Sequence, residues 1–375
     1  MRIGFDAKRL FNNTTGLGNY SRFVLDGLLK HNPQNEYILY TPKVLDQLEQ
    51  KFANQLNTTI VRPSNLIYKK LHTLWRSFEI DALAQKNQLD IYHGLSNELP
   101  VGIEKTGVKS VVTIHDLIFK YFSEGYTRTD KIIYDRKFES ACSRADKIIA
   151  TSIHTQKDII KYYGIDHSKI DVVYQDCDEI FSENKDVEMF NLVVKNYHLP
   201  EHFLLMVSKT EKRKNHLTLL QAFEKIHKDI PFSLVFIGGE GEEEKNVMAY
   251  IKEKKLPVVR LKNIPHQVLP YIYDASYASI YPSMFEGFGI PLIESLRRNK
   301  PIITNINGCF KEVSGTAALY IDVLNPEAIA EAIMQLISDK NLYEQLVSNC
   351  SQELLKFDSK KLTQDLVNIY HSLLT

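Results

Sequence analysis

The sequence predicts an α/β protein made of two Rossmann-like domains, each built on a parallel sheet. The chain of 375 residues is long enough for two or three domains. A short apolar strand, a loop and an amphipathic helix open the first half from Ile3 onward, and the same succession opens the second half from His202 onward. Another strand, loop and helix follow between residues 277 and 296, which is typical of parallel strands joined by helices.

The composition excludes several classes of function. Basic and acidic residues number 46 each, so no overall basic field argues for a nucleic-acid partner. The four cysteines form no Cys-x-x-Cys pair and suit a reducing compartment. The chain opens on a strand rather than a signal peptide, and no apolar run reaches the roughly eighteen residues of a membrane span. We therefore expect a soluble cytoplasmic enzyme.

The first domain opens with a strand at residues 3–6, a loop at 12–20 and a helix at about 21–29. The loop contains Gly16 and Gly18, and a Gly-x-Gly pair between a first strand and a first helix can belong to a dinucleotide fingerprint. The third glycine is missing, and no acidic residue clearly ends the next strand. A nicotinamide oxidoreductase is therefore a weak alternative, and a plain glycine turn is another.

A helical pattern between residues 66 and 85 contains the single tryptophan, Trp75. Three basic residues stand beside it, and such a face can touch the anionic inner surface of a membrane: Lys69, Lys70 and Arg76. Four apolar residues also recur at the spacing of a core stripe: Leu71, Leu74, Trp75 and Phe78. The core stripe is the preferred interpretation, and peripheral membrane contact is the alternative.

His115 and Asp116 follow an apolar strand that begins at Ser110. Open α/β sheets bind ligands beyond the carboxyl ends of their strands, so His115 is a candidate site residue. His93 ends another strand and is the second candidate. The alternative for either histidine is a structural role with a satisfied ring.

A cationic turn follows the first strand of the second domain and is a candidate anion site. Lys209, Lys212, Arg213 and Lys214 lie within six residues, between a strand and a helix. A solvated surface turn is the alternative interpretation. An Asp-x-Asp pair, Asp176 and Asp178, invites comparison with a metal site, but two aspartates at this spacing are common by chance, and no metal ligands are predicted.

The most informative stretch runs from Tyr281 to Leu296, where a buried strand passes through a glycine loop into a helix. Pro291 suits the first turn of a helix, where its missing N–H has no intrahelical partner. Glycines let backbone approach a ligand, and such a corner favours a phosphate group. Glu286 in the loop and Glu294 on the helix can accept hydrogen bonds from hydroxyls. Together these features indicate a nucleotide-sugar pocket.

This stretch resembles the Glu-x7-Glu motif of retaining glycosyltransferases of family four. The resemblance continues through residues 299–304, 308–315 and 325–333 and covers nearly the whole chain. It implies the GT-B fold, in which two Rossmann-like domains place their parallel sheets toward a central cleft. It also implies an acceptor-side domain at residues 1–182 with a closing helix at 357–375, and a donor-binding domain at 187–356.

The resemblance implies a role for each candidate residue. His115 and Glu286 are the catalytic candidates, Glu294 holds ribose hydroxyls, and the backbone of the 262–264 loop contacts the base. The donor-binding candidates are Gly16, Gly18, Lys209, Lys214, Asn263, Ile264, Gly287, Phe288, Gly289, Ile290, Pro291, Leu292 and Glu294. Lys209 departs from the family pattern, because it replaces an arginine and loses the bidentate fork. Asp176 stands where the family usually has a glycine.

The resemblance therefore predicts a metal-independent hexosyltransferase of glycan or polysaccharide biosynthesis. The expected donor is a nucleotide diphosphate sugar, GDP-mannose first and a UDP-sugar second, and no other cofactor is expected. The expected acceptor is a hydroxyl of a glycan or a lipid-linked glycan. The alternatives are a sugar-nucleotide epimerase or phosphorylase on the same architecture, the oxidoreductase named above, and a sugar-binding module without activity.

Overall fold

A computed structural model of the chain describes residues 1–13, 15–44, 51, 52, 55–122, 125 and 127–375. The chain forms two compact units. The first contains Met1–Asp176 together with Phe357–Thr375, and the second contains Cys177–Lys356. Each unit has its own parallel sheet with connecting helices, so the predicted Rossmann-like fold class is confirmed.

The first unit is built on a seven-stranded sheet, counted over the described residues. Its strands are β1 (Arg2–Asp6), β2 (Glu36–Tyr40), β3 (Thr58–Val61), β4 (Ile91–Gly94), β5 (Lys109–Ile114), β6 (Lys147–Ala150) and β7 (Ile170–Val172). They lie in the order β3-β2-β1-β4-β5-β6-β7, and every neighbouring pair is parallel. The order reverses its direction between β1 and β4, which is the topological switch point of this sheet.

The second unit repeats the same plan with six strands among its residues. They are β8 (Phe203–Val207), β9 (Ser233–Ile237), β10 (Val258–Leu261), β11 (Ala278–Tyr281), β12 (Ile302–Asn305) and β13 (Ala318–Ile321). The sheet order is β10-β9-β8-β11-β12-β13, again with parallel neighbours. Its switch point lies between β8 and β11, so a ligand crevice is expected at the carboxyl ends of these two strands.

Helices connect the strands and cover the sheets, because both faces of a parallel sheet are apolar. The α-helices are α1 (Lys8–Asn12), α2 (Gly16–His31), α3 (Leu66–Lys70), α4 (His72–Phe78), α5 (Ile80–Lys86), α6 (Arg128–Arg144), α7 (Ile153–Tyr163), α8 (Val187–Asn196), α9 (His216–Ile226), α10 (Glu244–Lys254), α11 (Leu269–Ala275), α12 (Ile290–Arg297), α13 (Phe310–Ser314), α14 (Pro326–Ser338), α15 (Lys340–Leu354) and α16 (Ser359–Ser372). Short 3-10 helices lie at Ile103–Lys105, Ile118–Lys120, His167–Lys169, Glu179–Ser182, Lys212–Lys214, His266–Val268 and Leu355–Phe357.

The last helix, α16, belongs to the core of the first unit. Leu366, Val367 and Tyr370 are buried in the cluster that contains the apolar residues of β1 and α2. The Tyr370 hydroxyl lies 2.7 Å from Nδ1 of His93 on β4. The chain therefore completes its first unit only with its final helix.

The stretch from residue 66 to 86 differs from the predicted core stripe. It forms three short helices, α3 to α5, and only Trp75 of the predicted stripe is buried. Leu71, Leu74 and Phe78 are exposed by 47%, 44% and 55%. The backbone at Leu71 leaves the helical region, so Leu71 is outside the helix that contains the other three residues. Within that helix, only Trp75 packs into the core. The described residues contain no helix with the length and apolar character needed to cross a membrane.

Candidate active site

The candidate site of the second unit lies at the carboxyl ends of β8 and β11. Residues 208–214 leave β8 through a short cationic loop, and residues 282–289 leave β11 through the glycine loop that leads into α12. The backbone N–H of Met284 donates to the carbonyl of Arg213 at 2.8 Å. The two loops are therefore joined directly at the sheet's switch point.

Glu286 is the centre of this site. Its Oε1 accepts hydrogen bonds from four groups among the described residues: Arg213 Nη1 at 2.8 Å, Lys214 Nζ at 2.5 Å, the Tyr281 hydroxyl at 3.0 Å and the Ser283 hydroxyl at 2.6 Å. Lys214 also donates to the Tyr281 hydroxyl at 2.7 Å. The sequence singled out Glu286 and Lys214, whereas the contributions of Arg213, Tyr281 and Ser283 follow only from the structure.

Charge explains why Glu286 stays ionised although it is largely buried. Burial acts to raise the pKa of Glu286, but the cations of Lys214 and Arg213 outweigh burial and lower that pKa to about 2. For Lys214, burial lowers the pKa, and the charge of Glu286 opposes this effect. The site thus combines the Glu286 carboxylate with two cations, of which Arg213 also pairs with Glu211 at 2.9 Å.

Two further residues hold the glycine loop in place. Cys309 donates from Sγ to the carbonyls of Glu286 and Phe288 at 3.3 and 3.2 Å. The amide of Asn305, at the end of β12, donates to the carbonyl of Ser283 at 3.1 Å. The sequence patterns did not indicate these two residues, because side chains that support a loop leave no periodic signal.

The loop ends at Gly289, which precedes the first residue of α12. Its φ of 97° is in the left-handed region, which favours glycine. Pro291 lies in the first turn of the helix, as its residue type predicts. The N–H of Leu292 donates to the carbonyl of Gly289 at 3.0 Å, so that amide is engaged within the chain. Ile290 is half-buried and begins the helix.

Glu294 lies on α12, is only 7% exposed and differs sharply from Glu286. Its Oε2 accepts a hydrogen bond from the Tyr273 hydroxyl at 2.8 Å. Burial raises the pKa of Glu294 to about 7, and the bond from Tyr273 together with the charge of His266 acts in the opposite direction. Glu294 therefore changes its charge near neutral pH, which the sequence pattern did not indicate.

The remaining donor candidates of the second unit lie at the same edge of the sheet. Lys209 is exposed, and within the part of the chain that the structure describes, no hydrogen bond or ion pair engages its ammonium group. Asn263 and Ile264 follow β10, and Asn263 has a φ of 54°. Gly287 and Phe288 are buried in the loop after Glu286. The structure thus gathers Lys214, Glu286 and Arg213 by direct contact and leaves Lys209 without such contact.

His115 lies at the end of β5 in the first unit and is 8% exposed. Its Nε2 is 2.8 Å from the carbonyl of Leu95, and its ring packs edge-on against Tyr20 with centroids 4.7 Å apart. A carbonyl can only accept, so Nε2 carries the proton and Nδ1 is an acceptor. Burial lowers the pKa of His115 to about 4, so the ring is neutral at pH 7.

His93, the second candidate, is fully buried with both ring nitrogens engaged. Nδ1 lies 2.7 Å from the Tyr370 hydroxyl, and Nε2 lies 2.8 Å from the hydroxyl of Thr113. Burial lowers the pKa of His93 to about 3. This histidine joins α16 to the sheet, which corresponds to the structural alternative.

Gly16 and Gly18 lie in the first turn of α2 rather than in a loop before it, because the helix begins five residues earlier than predicted. The N–H of Gly18 donates to the carbonyl of Thr15 at 2.9 Å. A Cβ at Gly18 would lie 1.8 Å from the carbonyl oxygen of Asn13, whereas a Cβ at Gly16 would meet nothing within 4 Å. The close approach of Asn13 therefore explains why position 18 is a glycine, independently of any ligand.

Comparison with known proteins gives a consistent family assignment. Residues 15–175 match the family model "Glycosyltransferase Family 4", and residues 193–353 match "Glycosyl transferases group 1". The chain is 25% identical to O-antigen chain mannosyltransferase B of Escherichia coli, with 99% of each chain covered. It is 33% identical over 147 residues to the serotype-specific mannosyltransferase WbdA of Escherichia coli, which is 38% of this chain and 17% of WbdA.

The fold is likewise shared with solved structures. Anabaena Alr3699/HepE in complex with UDP and glucose superimposes with a TM-score of 0.76 at 16% identity, with 99% of this chain and 100% of that chain covered. That likeness concerns the fold, which is GT-B as the resemblance implied. The two family models match successive stretches that together span most of the sequence. The chain is therefore a glycosyltransferase and belongs to glycosyltransferase family 4.

Proposed function

We propose that this glycosyltransferase transfers a hexose, with retention of configuration, from a nucleotide diphosphate sugar to a hydroxyl of a glycan or lipid-linked acceptor in polysaccharide biosynthesis. The observation that carries the proposal is the contact of Glu286 with Arg213 and Lys214 at the switch point of the second sheet. GDP-mannose is the first choice of donor, supported by the mannosyltransferases among the relatives. A UDP-sugar is the second, since Alr3699/HepE was solved with UDP.

The donor diphosphate is assigned to the cations of the second unit. The ammonium group of Lys214 has three hydrogens, of which two are used by Glu286 and Tyr281, so one is left for a phosphate oxygen. The exposed ammonium group of Lys209 adds a second positive charge. These cations oppose the negative charge that grows on the leaving diphosphate during transfer.

The sugar and the nucleoside are assigned to the two glutamates. All four hydrogen bonds to Glu286 go to Oε1, so Oε2 is the atom proposed to accept a sugar hydroxyl. The backbone from Gly287 to Gly289 is proposed to line the sugar. Glu294 is proposed to accept the ribose hydroxyls, and the backbone of Asn263 and Ile264 to contact the base.

The environment of Glu286 also bears on the mechanism. A carboxylate with a pKa of about 2 whose Oε1 already accepts four hydrogen bonds is a weak nucleophile. This favours attack by the acceptor hydroxyl on the same face that the diphosphate leaves. In that mechanism a phosphate oxygen of the leaving group takes the acceptor's proton. Retention follows without a covalent sugar–enzyme intermediate.

His115 is proposed to contact the transferred sugar from the first unit. Because Nε2 donates to Leu95, Nδ1 is the ring nitrogen with a lone pair, and it is proposed to accept a hydrogen bond from one sugar hydroxyl. The neutral ring adds no charge beside the developing positive sugar ring. These properties support a role in orienting the sugar rather than in protonating it.

We also propose that the reaction does not need a divalent metal, because lysine and arginine cations supply the positive charge at the diphosphate. Turnover should therefore be unchanged after treatment with EDTA and gel filtration, measured as nucleoside diphosphate release. Loss of turnover that Mn²⁺ or Mg²⁺ restores would contradict this proposal.

The test of the proposed function begins with thermal shift measurements against GDP-sugars and UDP-sugars. The donor that raises the melting temperature is then incubated with short glycan acceptors, and the linkage of the product is read by NMR. Transfer with the donor's anomeric configuration supports the proposal, and inversion would contradict retention. If only UDP-sugars raise the melting temperature, the donor is a UDP-sugar and the proposal of GDP-mannose is wrong.

The same preparation separates the alternatives. An epimerase would change the sugar nucleotide without an acceptor, and a phosphorylase would release sugar only with inorganic phosphate. A sugar-binding module would be stabilised by donor yet release no nucleotide.

Contact with a membrane stays a proposal. It is supported by the exposed apolar side chains of Leu71, Leu74 and Phe78, and flotation with anionic vesicles tests it.

A further inference from the structure

Two cations at the carboxyl end of β1 in the first unit have no partner among the residues that the structure describes. Lys8 and Arg9 are the first two residues of α1, which follows β1 beside the switch point between β1 and β4. Both side chains are half-buried. Across the described ranges, no hydrogen bond or ion pair engages the ammonium group of Lys8 or the guanidinium group of Arg9.

The nearby acidic groups form their ion pairs with other cations. Asp6 is buried and is paired with Arg76, whose Nε donates to Asp6 Oδ1 at 3.3 Å. Glu98 lies 3.4 Å from Arg76 and 3.2 Å from Lys137. Among the described residues, these two carboxylates pair with Arg76 and Lys137, and neither forms an ion pair with Lys8 or Arg9.

Two other half-buried cations of the first unit have partners inside the protein. Arg22 donates to the carbonyls of Leu10 and Asn13, and Lys120 pairs with Asp135 at 2.6 Å. Burial lowers the pKa of Lys8, and the neighbouring charges of Arg76 and Arg9 lower it further. The carboxylates of Asp6 and Glu98 act in the opposite direction. Lys8 and Arg9 place two positive charges side by side at a strand end, and such a pair suits an anionic ligand.

The second unit places a comparable cation at the same topological position. Lys8 is the second residue after β1, and Lys209 is the second residue after β8, the first strand of its sheet. Both ammonium groups lack a partner among the described residues. Strand ends beside a switch point are where open α/β sheets bind ligands, so position and charge agree in each unit.

We propose that Lys8 and Arg9 form an anion subsite that binds a phosphate-bearing group of the acceptor. The inference rests on the proposed function and adds a class of acceptor to it. Two adjacent cations suit a phosphate or diphosphate dianion, and the guanidinium fork of Arg9 can bind two phosphate oxygens at once. The diphosphate of the donor could also bind two such cations, but we have already assigned it to Lys209 and Lys214.

Arg9 also lies close to the proposed sugar-contacting residue of this unit. Burial is the main cause that lowers the pKa of His115, and the hydrogen bond to Leu95 acts to raise it. The charge of Arg9 adds to the lowering. An acceptor held through its phosphate at Lys8 and Arg9 would therefore be anchored near the histidine that orients the sugar.

The test is a calorimetric titration of the full chain with inorganic pyrophosphate, in the presence of saturating GDP or UDP. The expected result is a pyrophosphate-binding event in wild type that weakens about tenfold to a hundredfold in Lys8→Gln/Arg9→Gln. The matched control is Lys86→Gln/Lys105→Gln, which removes two exposed cations of the same unit and should bind as wild type does. Melting temperatures check that each variant is folded.

The outcomes distinguish acceptor phosphate from donor phosphate, and they test the anion subsite separately from the proposed function. Unchanged nucleoside diphosphate affinity in Lys8→Gln/Arg9→Gln assigns the subsite to the acceptor, and a loss equal to that of Lys214→Ala would overturn that assignment. Pyrophosphate binding that does not depend on Lys8 and Arg9, or no binding at all, would overturn the subsite. Failure of nucleotides to bind would count against the proposed function, and pyrophosphate titrated alone would still test the subsite.

Discussion

At the residue scale, the pKa values of Glu286 and Glu294 are shifted in opposite directions, although the two residues lie close together in the sequence. Two cations keep the pKa of Glu286 at about 2 against the effect of burial. Within the described part of the chain, Glu294 has no ion pair of this kind, and burial raises its pKa to about 7. Glu286 is therefore charged at every working pH, whereas the charge of Glu294 depends on pH.

We expect nucleoside binding to strengthen between pH 6 and pH 8, as Glu294 ionises and becomes a stronger acceptor for ribose hydroxyls. Glu294→Gln should weaken binding by about 1.5–3 kcal/mol at pH 8 and should remove the pH dependence. Calorimetry with the free nucleoside avoids titration of phosphate groups. The same pH profile in wild type and variant would show that Glu294 does not contact the nucleoside.

The raised pKa of Glu294 also predicts a cost in stability. A carboxyl group with a folded-state pKa of about 7 and an ordinary value of 4.5 stabilises the folded state fully below pH 4.5 and loses that contribution as the pH rises through 7. Glu294→Gln should thus be more stable than wild type at pH 8, by up to about 3 kcal/mol, with the gain vanishing near pH 5. Glu331→Gln, at an exposed position, is the control, and an equal gain there would contradict the assignment.

His115→Ala should lower turnover by about tenfold to a hundredfold, because the sugar loses a neutral hydrogen-bond acceptor that orients it. Nucleoside diphosphate affinity should stay close to that of wild type, since the nucleotide is assigned to the second unit. Turnover, affinity and melting temperature are measured on one preparation. A lower melting temperature with normal turnover per folded molecule would mean that His115 only packs against Tyr20 and Leu95.

At the element scale, the connection from β11 to α12 depends on backbone that glycine alone adopts without strain. A Cβ at Gly289 would lie 3.0 Å from Leu292 Cδ1, in addition to the left-handed φ of 97°. We expect Gly289→Ala to cost about 1–2 kcal/mol in free energy of unfolding and to weaken donor binding, because the loop that carries Glu286 must shift.

The control for Gly289→Ala is Gly16→Ala, at the start of α2, where a Cβ meets nothing within 4 Å. Its free energy of unfolding should change by less than about 1 kcal/mol, since alanine is a good helix former. Urea denaturation followed by circular dichroism measures both variants. Equal effects at the two glycines would contradict the claim that conformation at Gly289 is the cause.

At the scale of the whole molecule, the first unit is made from two separated stretches of chain. Residues 1–176 supply the sheet, and α16 returns to bury Leu366, Val367 and Tyr370 against it. We expect truncation after Lys356 to expose this apolar surface and to unfold the first unit selectively. Hydrogen exchange should show lost protection in β1 and β4 and retained protection in β8 and β11.

Truncation after Ser372 is the matched control, because it leaves α16 complete and removes only residues 373–375. It should exchange as wild type does. Protection of β1 that survives removal of the whole helix would show that the first unit is stable without it. Tyr370→Phe, which removes only the hydroxyl that meets His93, isolates the contribution of that hydrogen bond.

The sequence by itself determined the fold class, because apolar strands, glycine loops and amphipathic helices are local patterns with their own periods. It also indicated the strand–loop–helix corner with Glu286, Glu294 and Pro291, since these residues are close along the chain. The core stripe predicted around Trp75 was wrong, because Leu71 lies outside the short helix and only Trp75 of that helix packs into the core.

Only the tertiary structure decided which groups meet in the site. Of the cationic turn, Arg213 and Lys214 contact Glu286, while Lys209 does not, and spacing along the loop cannot distinguish them. The contact of Cys309 with the glycine loop is likewise visible only in the structure, because Cys309 lies 23 residues from Glu286 in the sequence. The different pKa values of the two glutamates arise from burial and from charges brought by other elements, so they depend on three-dimensional packing rather than on residue type.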